Sequence, residues 1–533
     1  MRQENKQIMS ALFRFRDKEK NMNFSKSKYC DFCQCGKLSW LKKNKPDEAV
    51  KDDGAQARFE AGKVVGELAK GYFGDFVDVT EKKEDGNPDL SKMIENTKAE
   101  MEKKTPVICE AAFSSGGLYC AVDILRREGD GWSIYEVKSS GYDYKTNKIK
   151  DVYLLDVAYQ KYVLGLCGIN VTGTYLMQID KKYIFDGTLD IHKFFKVTDV
   201  AEMIAEKVPE VEGNLKRAEE ILAEENEPDI KMGGQCFKPY DCAFWNYCTR
   251  NIPKPNVFDL HKPHSRKAMV DLYYRGIATF EDLENKYEKL TPIQKMQIDH
   301  YLHDRGTYVD KEKLRGFLSG LSYPLYFLDF ESFQPAVPRY AGTRPYMQIP
   351  FQYSLHYIES EGGELKHKEF LAKEGSDPLR PIAEALCRDI PKDVTVLVYN
   401  ETFEKSRLED LSKMFPDLAE HLKNINSHIN DLVVPFREGM YFNRGMCTKG
   451  SAGSIFSIKN VLPAVFPDDP SLDYHNLEGV HNGGEAMNAF PAMENMSPEE
   501  LAEARKNLLK YCELDTLAMV RLLEALRQAA SKD

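Results

Sequence analysis

The sequence contains no apolar run approaching the roughly 18 residues that a membrane-spanning helix needs. Its opening stretch, MRQENKQIMSALFRFRDKEK, is charged throughout and lacks the apolar core of a secretory signal. A cytoplasmic protein without a membrane partner is the expectation. No segment repeats and no tract is of low complexity, so solenoids and fibrous arrays are excluded. There is no GxxxxGK[ST] phosphate loop, and any unwinding of a duplex would have to come from a partner. The 11 histidines form no HxxxH pair or other metal-ligand spacing. An excess of positive charge is also missing. The net charge of -11 argues against a protein coated with nucleic acid, although a local basic groove on an enzyme fits within an acidic total.

What is present is a long, ordinary globular composition. The chain has 533 residues, 42% hydrophobic and 29% charged, which suits a soluble protein of about three domains. There are 12 cysteines. In a reducing compartment a cluster among them favours metal over disulfides. Three lie evenly spaced in CFKPYDCAFWNYC, at Cys236, Cys242 and Cys248. Three thiolates leave a tetrahedral metal one ligand short. Cys109, Cys120, Cys167, Cys387 and Cys512 stand in apolar contexts and read as packing.

Residues 1–27 form a basic N-terminal tail. Helical spacing covers 55–75, and three short strands fill 106–138, punctuated by SSGG and EGDG. Helices follow at 152–166 and 198–226. After the cysteines, the proline-marked NIPKPNVFDLHKP opens a helical stretch whose LYYRGIATFEDL is a candidate helix-hairpin-helix. A new strand, YPLYFLDFES, begins an α/β domain that runs to the end.

The three-stranded segment carries Asp123 and then Glu136 and Lys138. A hairpin brings Asp123 beside Glu136, so both carboxylates can share one divalent ion. Strand alternation puts Glu136 and Lys138 on one face, where the lysine can reach a water poised to attack phosphorus. An Asp followed by Glu-x-Lys is the pattern of PD-(D/E)xK nucleases. Glu110, one strand earlier, is either a further ligand or an edge-strand acid. KSSGYDYKTNKIKD gathers Lys138, Lys145, Lys148 and Lys150 with Tyr142 and Tyr144, which suits a single nucleic-acid strand or a solvated loop.

Residues 28–250 resemble the RecB-family and CRISPR-associated nucleases whose catalytic domain is clamped by a four-cysteine iron–sulfur cluster. The resemblance implies that Glu67, on the helix before the strands, and Gln160, on the helix after them, join the active site. It also implies Cys35, in QCGKLSWLKK, as the fourth ligand beside Cys236, Cys242 and Cys248. Cys30 and Cys33 remain alternatives for that place. A 4Fe–4S cluster is the implied occupant, with zinc as the alternative.

Downstream, LYFLDFES places Asp329 and Glu331 on one face of a strand, VLVYNETFEKSRL carries Glu404, and LLKYCELDTLAMVRLLEAL carries Tyr511 and Asp515 one helical turn apart. In this order they resemble the motifs of tyrosine-type DEDD exonucleases, which have an RNase H-like fold. The resemblance implies that the four acids hold two ions, Mg2+ or Mn2+, that Tyr511 orients a water, and that Asp431 is structural. Glu404 departs from the pattern, which has Asp there. The whole chain resembles bacterial fusions of a RecB-like nuclease to a C-terminal domain with an RNase H-like core.

The expected architecture is therefore α/β: a basic tail at 1–27, a restriction-endonuclease-like PD-(D/E)xK core with its four-cysteine cluster at 28–252, a helical linker at 253–320, and an RNase H-like domain at 321–533. The expected function is metal-dependent hydrolysis of DNA rather than RNA, on single strands or ends, with a second 3′–5′ exonuclease site. A helicase or a defence-system protein is the expected partner. The alternative is a nucleic-acid-binding scaffold in which one or both nuclease folds are inactive and the cluster is structural.

Overall fold

The computed structural model describes residues 24–50, 54–262, 265–448 and 454–531. The expected basic tail thus lies outside the described residues up to position 23. The chain divides into two compact units. One comprises Met1–Arg250 with Ala336–Pro345, the other Asn251–Pro335 with Tyr346–Asp533. Both are mixed α/β, and among the described residues no helix is long and apolar enough to cross a membrane.

The first unit is built on a seven-stranded sheet. Strands β1 (Phe24–Ser25), β2 (Val77–Asp78), β3 (Val107–Ser115), β4 (Leu118–Glu128), β5 (Gly131–Gly141), β6 (Val171–Ile179) and β7 (Phe195–Asp199) form it. Its order is β2-β3-β4-β5-β6-β7, and β1 pairs in parallel with β4. The expected meander is β3-β4-β5, antiparallel throughout. Its second turn uses Gly129 at φ +59, a left-handed position that glycine takes at little cost. Helices α1 (Lys26–Gln34), α2 (Gly36–Asn44), α3 (Ala55–Lys70), α4 (Leu90–Glu102), α5 (Asp151–Leu166), α6 (Lys207–Ala223) and α7 (Trp245–Thr249) surround it.

The central element is α5. Asp151 in its first turn suits the helix dipole, and its apolar face buries Val157, Ala158, Tyr159, Val163 and Leu164 in the main core. Tyr159 stacks on Tyr29 of α1 at 5.1 Å, and its hydroxyl donates to the Phe24 carbonyl at 2.6 Å. These contacts fix the first described residues against the sheet.

The second unit holds a five-stranded sheet of order β11-β10-β9-β12-β13, with β9 (Leu325–Phe333), β10 (Ile349–Ile358), β11 (Lys366–Leu371), β12 (Thr395–Val398) and β13 (Ile429–Asp431). The pairs from β11 to β9 are antiparallel, and those from β9 to β13 are parallel. The stretch 253–320 packs into this unit. It has its own core of Val257, Met269, Leu272, Phe280, Leu283 and Ile298. Helices α8 (Arg266–Tyr274) and α9 (Phe280–Lys286) meet through a turn at Gly276, φ +78, and α10 (Pro292–His303) follows. Side-chain capping boxes at Thr279/Asp282 and Thr291/Gln294 start α9 and α10. After strand β8 (Thr307–Val309), helix α11 (Lys311–Ser319) is joined to the chain's last helix by Arg315 Nε donating to the Ala530 carbonyl at 2.9 Å.

Further helices of the unit include α12 (Leu379–Asp389), α13 (Thr402–Met414), α14 (Ile458–Val465) and α15 (Pro498–Ser531). Proline at the first position and Glu499 and Glu500 behind it favour the start of α15. Met519, Val520 and Leu523 of α15 pack with Leu325, Phe327 and Leu397 from the sheet and with Leu432 just past β13. Removing the fully buried Phe327 ring should therefore cost about 3–5 kcal/mol. Chemical denaturation of Phe327→Ala followed by hydrogen exchange in β9 checks this; unchanged protection there would show that the sheet is not held as described.

Candidate metal centres

In the first unit, strand alternation and the hairpin do what the sequence predicts. Asp123 on β4 and Glu136 and Lys138 on β5 come together, and Gln160 of α5 joins them. Lys138 Nζ donates to Glu136 Oε1 and to Asp156 Oδ2, both at 2.6 Å. Gln160 Nε2 donates to Glu136 Oε2 at 2.7 Å and to Asp156 Oδ1 at 3.0 Å. Asp123 Oδ2 accepts from the Val137 amide at 2.7 Å. Glu136 is 1% exposed. Burial and Asp123 would raise its pKa, but Lys138 and Lys26 outweigh them and hold it below the usual range.

Glu67 is not brought into this group. Its side chain is 62% exposed and accepts from Lys70 three residues on, which also binds Asp78. Three other residues are at the centre. Lys26 Nζ donates to both Glu136 oxygens, at 3.0 and 3.1 Å, and stands 3.7 Å from Asp123 and 3.9 Å from Asp156. Asp156 holds Lys138. Glu110 lies across from Asp123, in the gap of the β3–β4 register, with φ +57 in the left-handed region. Burial, then Asp123, pushes Glu110 up to about 7. The oxygen donors suit a hard divalent ion, but two ammonium groups already neutralise much of this carboxylate charge.

The cysteine centre lies in the same unit. Cys35, Cys236, Cys242 and Cys248 line one cavity, together with Leu38 and Leu41 of α2. Cys35 stands at the junction of α1 and α2, and Cys248 is on α7. The Cys242 amide donates to the Cys236 carbonyl at 2.9 Å, which folds the triplet back on itself. Trp40, Phe244 and Tyr247 pack behind the cavity. Cys30 and Cys33 are turned away into the main core, where Cys30 Sγ lies 3.8 Å from the Val152 carbonyl. Of the three alternatives, Cys35 is the one that lines this cavity. Four thiols on one cavity are a donor set for a thiophilic centre, and all the cysteines are free thiols.

In the second unit, Asp329 and Glu331 project from one face of the central strand β9, Glu404 from the first turn of α13, and Tyr511 and Asp515 from α15. One oxygen each of Asp329, Glu331 and Asp515 lies within 4.8 Å of the others. Glu404 is 2% exposed, and its Oε2 is buried with no hydrogen-bond partner among the described residues. Burial first, then Asp515, raises both Asp329 and Glu331 well above the carboxylate range. Burial and the neighbouring Asp431 and Asp515 push Glu404 up to about 8, and burial pushes Asp515 up to about 6. Converging carboxylates with an orphaned oxygen fit one or more hard divalent ions.

Two further residues reach the cluster. Lys459 of α14 donates to the Tyr511 hydroxyl at 3.1 Å and to the His481 carbonyl at 2.7 Å. The Tyr474 hydroxyl donates to Asp515 Oδ1 at 2.6 Å. Asp431 holds the turn after β12, accepting from the amides of Asn400 at 2.9 Å and Val433 at 3.1 Å, in keeping with a structural role.

Residues 326–451 match the family described as a domain of unknown function (DUF2779). The match takes in Asp329, Glu331 and Glu404 but ends before Tyr511 and Asp515. No curated protein and no solved structure matches the chain.

The acid cluster makes stability depend on pH. A carboxyl whose folded pKa is raised binds more protons folded than unfolded, so its stabilisation is present at low pH and lost as pH rises through the folded value. For Asp515 and Glu404 the window runs from their ordinary values of 3.8 and 4.5 up to about 6 and about 8. In chelator, the second unit's melting temperature should fall as pH rises across this range, and excess Mg2+ should flatten the decline. A melting temperature that rises over the same range, or ignores Mg2+, would contradict this description of the cluster.

Proposed function

We propose that the protein is a metal-dependent nuclease with two separable centres, acting on DNA single strands or ends. The observation that carries the reading is the buried cluster of Asp329, Glu331, Glu404 and Asp515, whose charges find too few cations in the chain. The order and spacing of these acids with Tyr511 support a 3′–5′ exonuclease of the DEDD type on an RNase H-like core. Asp123, Glu136, Lys138 and Gln160 support a PD-(D/E)xK core of the RecB type. The four cysteines are suited to a 4Fe–4S cluster, with zinc as the alternative. Since the sequence has no GxxxxGK[ST] phosphate loop, a helicase or defence-system protein is the partner class that would supply unwound strands.

Divalent Mg2+ or Mn2+ among such oxygens stabilises the attacking and leaving oxygens of an in-line displacement. Asp329, Glu331, Glu404 and Asp515 would hold the ions in the second unit, and Asp123, Glu136 and Glu110 in the first. The chain's own residues do the rest. Lys459 donates to the Tyr511 oxygen, which leaves the Tyr511 hydrogen to be given to Asp515 or to a water. Tyr474 fixes one Asp515 oxygen, so the other can turn toward the cluster. In the first unit, Glu136 and Asp156 aim Lys138 across the carboxylates, where its ammonium can orient a water or a phosphate oxygen. Gln160 fixes the plane of Glu136.

One observation favours the scaffold reading for the first unit alone. Lys26 bridges Asp123, Glu136 and Asp156 where an ion would bind, so with Lys138 it already offsets much of that centre's carboxylate charge. Cleavage assays on end-labelled single strands with Mn2+ decide the matter. Asp329→Asn should abolish stepwise shortening from the 3′ end, and Lys138→Met should slow the remaining cuts about 100- to 10,000-fold. If Asp329→Asn cleaves as the parent does, the second centre is not an exonuclease. If Lys138→Met leaves every cut unchanged, the first unit is a scaffold.

The cysteine centre has its own test. Protein purified without oxygen should be brown; Cys236→Ala and Cys35→Ala should bleach it, and Cys33→Ala should keep its colour. A colourless parent carrying one zinc would replace the iron–sulfur assignment. Loss of colour in Cys33→Ala with retention in Cys35→Ala would reverse the choice of ligand.

A further inference from the structure

The β10–β11 hairpin and helix α15 bring together three residues outside the acid cluster. His356 and His367 are register partners across the hairpin, and their ring centroids lie 4.4 Å apart. Glu513 of α15 faces them. A ligand-capable atom of each of the three residues lies within 4.8 Å of the other two.

The hydrogen bonds around the rings determine what the remaining nitrogens can do. The Thr516 hydroxyl donates to the Glu513 carbonyl at 3.1 Å. Its oxygen is then an acceptor for the Ser354 hydroxyl at 2.7 Å and for His356 Nδ1–H at 2.7 Å. Ser354, having given its hydrogen to Thr516, accepts from His367 Nε2–H at 2.9 Å. This is the assignment in which every hydrogen of the chain has an acceptor. With each ring carrying that one hydrogen, His356 Nε2 and His367 Nδ1 are the positions that offer a lone pair. Neither nitrogen has a hydrogen-bond partner among the described residues. His356 is buried, 5% exposed, which disfavours the charged form of its ring. Two imidazole lone pairs and a carboxylate, with no hydrogen directed between them, attract a cation. Hydroxyls that fix the opposite edge of each ring are the kind of outer support that metal-binding histidines have.

We infer that His356, His367 and Glu513 form a binding site for a first-row transition ion of the Zn2+ class, with one coordination position left to water. Two nitrogens and one carboxylate suit such an ion better than Mg2+, which prefers all-oxygen sites. The site is therefore chemically distinct from the cluster of four acids. Occupied, it ties β10 and β11 to the segment of α15 that carries Tyr511 and Asp515.

The test uses the full chain with its cysteine centre loaded as purified, and excess Mg2+ to occupy the all-oxygen sites. Cobalt(II) is titrated and followed by visible absorption and equilibrium dialysis. The parent should bind one Co2+ that Zn2+ displaces and that raises the melting temperature. Asp329→Asn should keep this equivalent, and His367→Ala should lose it together with the thermal shift. Should His367→Ala fail to fold, Glu513→Gln reads the same contrast as weakened affinity with the size of the side chain preserved. A parent that binds no Co2+ under Mg2+, or a His367→Ala protein that binds as much as the parent, overturns the site. The assay reads no cleavage, so its outcome is independent of the nuclease reading.

Discussion

Carboxylates forced close together away from water are the constraint on which both units are built. Two such charges 4.8 Å apart repel by about 3 kcal/mol at an effective dielectric near 20, and burial adds to the cost of ionising each. The two units meet this constraint differently. In the first, Lys26 and Lys138 are drawn into the carboxylates and Gln160 fills the remaining acceptor. In the second, Lys459 is turned partly toward Tyr511 and the His481 carbonyl, and the acids stay in conflict. The second unit is thus the one whose geometry most needs an external cation.

The surrounding fold is arranged to maintain these encounters. In the second unit, β9 lies at the middle of the sheet and α15 packs along it through Met519, Val520 and Leu523, so Asp329 and Asp515 cannot drift apart without opening the core. In the first, the Tyr159 hydroxyl holds the Phe24 carbonyl and brings Lys26 over the sheet. The left-handed backbone at Glu110 costs conformational energy on a non-glycine residue, and its position beside Asp123 is where such strain serves a site.

Residues whose position follows from local periodicity were legible in the sequence. Strand alternation placed Glu136 with Lys138 and Asp329 with Glu331, and helical spacing placed Tyr511 with Asp515. Asp156 was within reach of the same argument, because it stands one turn before Gln160 on α5. Glu67 could not be placed by such reasoning: its helix turns it to solvent, where Lys70 takes it. Lys26 was hidden because its position depends on β1 pairing with β4, almost a hundred residues away. The cysteine choice depended on helix phase. Cys30 and Cys33 share the inward face of α1, and Cys35 lies just past its end. The histidines show no ligand spacing in the sequence because the register of a hairpin, not a short motif, brings His356 to His367.

Anomalous diffraction from crystals soaked in Mn2+ is the most direct measurement of the central claim. The account predicts manganese between Asp329, Glu331 and Asp515, with Glu404 turned toward it. Acids that remain clustered with no manganese among them, at a pH where they are ionised, would contradict it.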